Sequence, residues 1–443
     1  MATIAIVGLG RLGCPMAAVF AAAGHTVVGV EVSEAHVRAL NAGEPPVIEP
    51  GLEEMLARSE GRLSATHDYA AAVARADATF IVVPTPSGPD GGFSLDYVLP
   101  AVREVGVALR GASRRHVVVI TSTVMPGSTL GPIVGALEES SGLQVGAGVG
   151  LCYSPEFIAL GSVINDLTHP DMILVGESDP ASGQVLADIL HTVTGPDVPV
   201  ARMDPTSAEV AKLAVNTFVT TKISYANMLA EICERLPGAD AKLVTAAVGM
   251  DSRIGPKYLT PGAPYGGPCF PRDNLALAAL ARRLGASGDI AEATDAINRR
   301  QVDRVVDIVL TRAAPVNHIG VLGLSYKPGT PVRDESFGVA LASRFAAQGF
   351  SVVAWDPTCA FGPRSQMLEQ VATTDSLSAC VAQSEVLVVA TPWPQLAELP
   401  ALLTPESHVR AVVDCWSLLD DASVPGQLLV RIGRDAGAEM AMA

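Results

Sequence analysis

The run Gly266-Gly267-Pro268-Cys269-Phe270-Pro271-Arg272-Asp273 sets one thiol in a glycine- and proline-held turn with a carboxylate four residues on. A thiol so placed can act as an acyl carrier. Nucleophilic thiols form thioesters, which carry an oxidation past the aldehyde to a carboxylate. Taken alone, Cys269 has a commoner reading as a half-buried structural thiol, since most such cysteines are inert. A second constellation lies between Ser207 and Leu236, where neither Gly nor Pro interrupts a stretch containing Glu209, Lys212, Asn216, Thr220 and Tyr225. A long helix is expected there, and Lys212, Asn216 and Thr220, at i, i+4 and i+8, share one of its faces. A lysine in an apolar helical run ordinarily snorkels to solvent. If its face lies against Cys269, the amine can stabilise an oxyanion or act as a base.

These groups need a scaffold, and the N-terminus supplies the first part of one. Thr3 to Val7 reads as a strand, Gly8-Leu9-Gly10-Arg11-Leu12-Gly13 as a glycine turn, and the Ala-rich stretch to Ala23 as a helix. In such a unit the first glycine permits the tight turn, the second lets backbone approach a pyrophosphate, and the third lets helix and strand pack closely. A second strand, Thr26 to Val30, ends in Glu31, 18 residues after Gly13. A carboxylate there binds a ribose 2′-hydroxyl and repels a 2′-phosphate, so NAD is expected rather than NADP. Further strands are read at Ala78 to Val83, His116 to Thr121 and Gly150 to Tyr153, as in a parallel sheet. Ligands of such sheets sit beyond the strand carboxyl ends, which here carry Val83-Pro84-Thr85-Pro86, Ser122 to Gly127 and Tyr153-Ser154-Pro155-Glu156-Phe157. For the first two, plain turn chemistry is the competing reading.

The alternation restarts after Val316, with strands at His318 to Leu322, Ser351 to Trp355, Val386 to Ala390 and Ala411 to Asp414, and a helix at Ser336 to Gln348. The turn Gly323 to Gly329 is not a GxGxxG, so a second dinucleotide is not expected. Val386 to Pro392 echoes Phe80 to Pro86. The fold expected is α/β, two Rossmann-like doubly wound domains joined by a long central helix and a helical region. A cleft between two such domains is the default site.

At 443 residues the chain exceeds one core, and two or three domains are expected. Its seven cysteines, at 14, 152, 233, 269, 359, 380 and 415, are odd in number and irregularly spaced, which fits free thiols in a reducing compartment. No CxxC or Cys/His cluster points to a metal. No apolar run approaches the roughly 18 residues of a membrane span, and Met1 leads directly into a strand, so a cytoplasmic protein is expected. The formal charge of −16 argues against nucleic-acid binding. An acidic chain binds a phosphorylated small molecule locally, through backbone N–H groups and a few placed cations.

Taken in order, GLGRLG, EPGLEEML, VPTP, STVMPGS, SPEF, EVAKLAVNTF, RIGPKYL, GGPCFPRD and GLSYKPGT resemble the UDP-glucose 6-dehydrogenase group of nucleotide-sugar dehydrogenases over nearly the whole chain. The resemblance implies four-electron oxidation of the 6-hydroxymethyl group of a UDP-sugar to a uronate, with two NAD consumed. It makes Cys269 the nucleophile that forms a thiohemiacetal and then a thioester. Lys212 and Asn216 become the pair that stabilises oxyanion character, with Lys212 also a candidate base, while Asp273 and Thr123 hold the water and Glu156 handles protons. Asp273 is also expected to position Lys212. The cofactor set is Gly8, Gly10, Leu12, Gly13, Glu31, Pro84, Thr85 and Thr123. The substrate set is Phe157, Ile158, Lys212, Asn216, Arg253, Tyr258, Leu259, Tyr265, Gly266 and Lys327, with Arg253 reaching a partner's substrate and the aromatic rings available to stack on uracil. Residues 1–200 would bind NAD, 201–310 would carry dimerisation and catalysis, and 311–443 would bind the UDP-sugar. A homodimer or larger homo-oligomer is implied.

Four positions depart from the family pattern. Leu160 stands where a second Glu is usual, and Arg272 where Lys is usual. Arg333-Asp334-Glu335-Ser336 shifts an arginine by one residue, and Asp414-Cys415-Trp416 replaces Asp-Gly-Arg. A divergent branch that keeps the reaction and changes the sugar would look like this. UDP-glucose is the first expectation, and UDP-N-acetylmannosamine or another UDP-hexose the near alternative. Two further alternatives are a two-electron hydroxyacid-type dehydrogenase, which has no use for the cysteine turn, and a catalytically silent nucleotide-sugar binder.

Overall fold

The computed structural model describes residues 1–112, 114–313, 315–358, 369–404 and 407–435. Cys359 lies outside the described residues. The chain divides into two compact units, Met1–Ala214 and Val215–Ala443.

In the first unit, β-branched segments form β1 (Thr3–Val7), β2 (Thr26–Val30), β3 (Leu63–Thr66), β4 (Ala78–Ile81), β5 (His116–Ile120) and β6 (Val149–Tyr153). β7 (Ile173–Glu177) and β8 (Val200–Met203) complete an eight-stranded sheet of order β3-β2-β1-β4-β5-β6-β7-β8. β4, β5 and β6 are buried at every position, as strands covered by helices on both faces must be. The first six strands have the dinucleotide-fold order 3-2-1-4-5-6. The expectation of a wholly parallel sheet is corrected at its edge. β7 runs antiparallel to β6, Tyr153 facing Gly176, and β8 is parallel to β7. Residues 154–172 contain only the short helix Val163–Thr168 and do not cross back, so β7 begins beyond the carboxyl end of β6.

The second sheet comprises β9 (His318–Leu322), β10 (Ser351–Trp355), β11 (Ala372–Thr374), β12 (Val386–Val389), β13 (Ala411–Asp414) and β14 (Leu428–Arg431). All its pairings are parallel and the order, β11-β10-β9-β12-β13-β14, is again 3-2-1-4-5-6. β12 therefore occupies the place that β4 has in the first sheet, which is the physical content of the Thr-Pro echo. The helix–strand packing is also repeated. A Cβ on Gly13 would lie 1.9 Å from the Gly8 carbonyl oxygen, and one on Gly338 would lie 1.9 Å from that of Gly323. The spacing differs, because the second pair is separated by a long loop rather than a nucleotide turn. Asp356, in the position of Glu31, is already saturated by Leu324 N (2.7 Å), Ser325 N (2.8 Å), Thr358 Oγ1 (2.5 Å) and the Trp393 indole (3.1 Å).

The central helix runs unbroken from Pro205 to Cys233. Asp204 caps it, accepting from Ser207 N at 3.0 Å, and Pro205 suits the first helical position. Helices Ala241–Met250, Phe270–Leu284 and Asp289–Arg312 follow in the second unit.

Candidate active site

Of the residues expected to hold the cofactor, Gly8, Gly10, Leu12, Gly13 and Glu31 lie at the carboxyl ends of β1 and β2. Gly8 has φ +95°, and a Cβ there would meet the Val82 carbonyl oxygen at 2.3 Å, so only glycine fits the turn. Gly10, by contrast, faces open space. Leu12 precedes the helix Gly13–Ala22 and packs on the core beneath it. The Glu31 carboxylate accepts from Leu9 N at 2.8 Å and from Val32 N and Ser33 N at 2.8 and 2.9 Å. It thus ties the end of β2 to the glycine turn. An exposed glycine backbone at a helix N-terminus with a carboxylate alongside fits a dinucleotide: amides for the pyrophosphate, Glu31 for the ribose.

At the ends of β4 and β5, Ser122 accepts from Val83 N at 2.9 Å and donates to Val83 O at 2.7 Å, joining the loop that carries Pro84 and Thr85 to the one that carries Thr123. The Thr123 loop is fastened further on by Glu209. This fully buried carboxylate on the central helix accepts from Gly127 N (2.6 Å), Thr129 N (2.8 Å) and Thr129 Oγ1 (2.6 Å). Burial raises the Glu209 pKa against the pull of those donors.

Lys212 is one turn further along. Snorkelling, its ordinary reading, is not what the structure has. The side chain is only 6% exposed, its Nζ donates to the Glu156 carbonyl at 2.7 Å, and it sits 4.7 Å over the Phe157 ring. The ammonium is thereby fixed against the SPEF segment. Glu156 lines a largely apolar pocket with Met16, Phe20, Leu167 and Leu190 among its walls. Desolvation there pushes its carboxyl up to about 7, the nearby Lys212 charge opposing the rise. Ile158 and Leu160 pack against the core, so the residue in place of a second glutamate is a packing residue. Glu49, from the EPGL motif, holds the same segment: its two oxygens accept from Gly161 N (2.8 Å) and Val163 N (2.7 Å). The motif by itself gives Glu49 no role, since its partners are backbone amides far along the chain.

The thiol belongs to the second unit. Among the described cysteines Cys269 alone is exposed, and it precedes the 15-residue helix Phe270–Leu284. The positive end of that helix favours negative charge at Sγ. In its first turn the buried Asp273 accepts from Asn216 Nδ2 of the central helix at 2.5 Å. Gly266 and Gly267 allow close approach of the 326–335 loop. A Cβ on Gly266 would lie 2.2 Å from the Glu335 carbonyl, and one on Gly267, at φ +84°, would lie 2.6 Å from the Tyr326 ring. Lys327 is in that same loop, half-buried.

Phe270 has Tyr258 and Tyr265 edge-on at 6.3 and 6.4 Å. Tyr258 is half exposed and held at φ +63°, a strained conformation of the kind that gathers at ligand sites. Leu259 and Tyr265 are buried, and burial pushes the Tyr265 phenol upward. Arg253 projects into solvent, its guanidinium doubly bonded to Asp251 at 3.0 and 2.6 Å. Trp416 donates its indole N–H to Ala390 O at 2.9 Å. Among the described residues no cluster of side chains is suited to a metal ion, and no helix is long and apolar enough to cross a membrane.

Three models of the UDP-glucose/GDP-mannose dehydrogenase family match in register: the NAD binding domain over residues 2–194, the central domain over 206–300 and the UDP binding domain over 320–421. The UDP-glucose 6-dehydrogenase AglM of Haloferax volcanii is 36% identical over 400 residues, covering 89% of this chain and 92% of the relative. The GDP-mannose 6-dehydrogenase of Pseudomonas syringae pv. syringae is 36% identical over 357 residues, 80% of each chain. The structure of a UDP-glucose dehydrogenase from Pyrobaculum islandicum superposes with a TM-score of 0.88 at 36% identity, covering 98% of both chains. With the glycine turn, Glu31 and all three domain matches in agreement, the chain belongs to the UDP-glucose/GDP-mannose dehydrogenase family and is an NAD-dependent oxidoreductase.

Proposed function

We propose that the protein oxidises the 6-hydroxymethyl group of a UDP-hexose, UDP-glucose first among them, to the UDP-uronate. The observation that carries this reading is the exposed Cys269 heading a helix whose Asp273 is bonded to Asn216, one turn beyond Lys212 on the same continuous helix. Bound NAD supplies a hydride acceptor, used twice per sugar. The chain's residues do the rest. The Cys269 thiolate adds to the 6-aldehyde, forming a C–S bond and an oxyanion that Lys212 and Asn216 stabilise. Loss of a hydride from that carbon leaves a thioester. Water held by Asp273 and Thr123 attacks it, the C–S bond breaks, and the thiol regains its proton while Glu156 takes up the one released.

We divide the labour as 1–200 for NAD, 201–310 for catalysis and dimerisation, and 311–443 for the UDP moiety. A homodimer is supported by Phe218, Tyr225 and Ile232, exposed at seven-residue spacing on the central helix, with exposed Leu243 and Met250 on the next one. Such a pairing would bury an apolar stripe and bring Arg253 to a partner. The odd number and irregular spacing of the cysteines, free among the described residues, support a cytoplasmic setting.

The test is NADH formed per sugar, with limiting UDP-glucose, UDP-N-acetylmannosamine, other UDP-hexoses and GDP-mannose in parallel. Two NADH from UDP-glucose is the expected result. Two from another sugar reassigns the substrate, and one NADH with free aldehyde or ketone overturns the four-electron reading.

A further inference from the structure

The chain that leads into the thiol turn is held by side-chain amides from two helices. Asn227, fully buried on the central helix, accepts from Gly262 N at 2.8 Å and donates Nδ2 to Ala263 O at 3.2 Å. Asn298, on Asp289–Arg312, grips a single residue from both sides. Tyr265 N donates to its Oδ1 at 2.9 Å, and its Nδ2 donates to Tyr265 O at 2.9 Å. Two more ties follow in order. Gly267 N donates to Asp334 O at 3.0 Å, and Asn274 Nδ2 donates to Phe270 O at 3.0 Å and to Thr220 Oγ1 at 2.8 Å. The backbone is thus fastened at 262–263, 265, 267 and 270, on both sides of Cys269. A planar amide with both its atoms on one backbone residue replaces a neighbouring strand, fixing that residue in position and in rotation.

We propose that Asn298 and Asn227 are positioning residues for the second oxidation, acting on Cys269 through the backbone of residues 262–265 and not on the substrate. The proposal rests on the reading of Cys269 as the nucleophile. The physical case is leverage. Three residues separate Tyr265 from Cys269, and a reacting atom misplaced by about 1 Å costs up to about 10²-fold in rate. The amides must be buried to be specific, and both are. They come from helices remote in sequence, so the packed helical region fixes the approach to the turn that its own glycines permit.

The first oxidation, alcohol to aldehyde, makes no use of the thiol, whereas the second does. Loss of Asn298 therefore acts on the two steps unequally. Asn298→Ala and Asn227→Ala are compared with Asn41→Ala, which removes an amide clamp of the same geometry at Ala65 in the first unit (2.9 and 2.8 Å), remote in sequence from the thiol. The expected result is that Asn298→Ala lowers NADH per sugar from two towards one, with aldehyde trapped by semicarbazide, and lowers kcat by about tenfold or more while the NAD KM stays within about twofold. Asn41→Ala keeps the ratio at two. If Asn298→Ala loses thermal stability as the control does but keeps both the ratio and the kcat of the folded fraction, the proposal is overturned.

Should Asn298→Ala not fold, Asn298→Asp takes its place, keeping the acceptor for Tyr265 N and losing the donor. Should the wild type oxidise no nucleotide sugar, the functional reading falls separately. The clamp is then read by iodoacetamide labelling of Cys269, where a change of about threefold or more supports it and an unchanged rate refutes it.

Discussion

Glu156→Gln is the perturbation whose consequences are most closely set by the structure. The Glu156 carboxyl lies against an apolar pocket and is raised from the ordinary 4.5 to about 7, chiefly by desolvation. Its folded-state pKa is higher than its unfolded one, so the folded chain holds the proton more tightly. The associated stability is fully present below pH 4.5 and is lost as the pH rises through 7. A shift of this size corresponds to about 3 kcal/mol between the two ends of that window. Gln carries no ionisation, so the variant should match the wild type below pH 4.5 and be the more stable by about 3 kcal/mol at pH 8. In melting temperature that is roughly 6–12 °C for a unit of this size. The assay is thermal unfolding of both proteins from pH 4 to 8, taken as the difference between them, which cancels contributions such as that of the buried His116, lowered to about 4. The kcat/KM profile supplies the functional half. An ionisation near pH 7 in the wild type should vanish in the variant, with rate lost where proton transfer limits turnover. A stability difference that stays flat with pH, or an ionisation near 7 that survives in Glu156→Gln, would refute the assignment of this group.

Three other perturbations have equally definite outcomes. Cys269→Ser changes an exposed side chain and should leave stability within about 0.5 kcal/mol while abolishing uronate formation, read as product by mass spectrometry. Glu31→Ala removes the acceptor for Leu9 N as well as the ribose partner. It should raise the NAD KM by about 10- to 100-fold and erode the preference for NAD over NADP, and an unchanged ratio of the two KM values would remove Glu31 from cofactor selection. Gly267→Ala imposes a side chain at φ +84° against the Tyr326 ring. It should destabilise the second unit by about 1–3 kcal/mol and lower kcat more than it raises the NAD KM.

What was legible in the chain was what local physics encodes. The glycine turn and its acid could be read because a tight turn, a close backbone approach and a ribose carboxylate each demand a residue type at a short, fixed spacing. The 29-residue central helix could be read because nothing in it breaks a helix. The second sheet was legible as repeated strands, apart from β11 and β14, as the first was apart from β3, β7 and β8. The direction of β7 was decided by the path of residues 154–172, which no periodicity records.

The burial of Lys212 depended on the SPEF backbone being there to accept its hydrogen bond, and an apolar helical run by itself favours the snorkelled form. The fixing of the site was hidden for the same reason. Glu49, Glu209, Asn227 and Asn298 act on backbone groups 33 to 114 residues away, and a hydrogen bond to a backbone amide places no constraint on the type of residue that owns it. The sequence by itself determined which groups can do the chemistry, because that chemistry requires particular side chains. The tertiary structure alone decided how they are held, because the holding is done through backbone atoms that every residue shares.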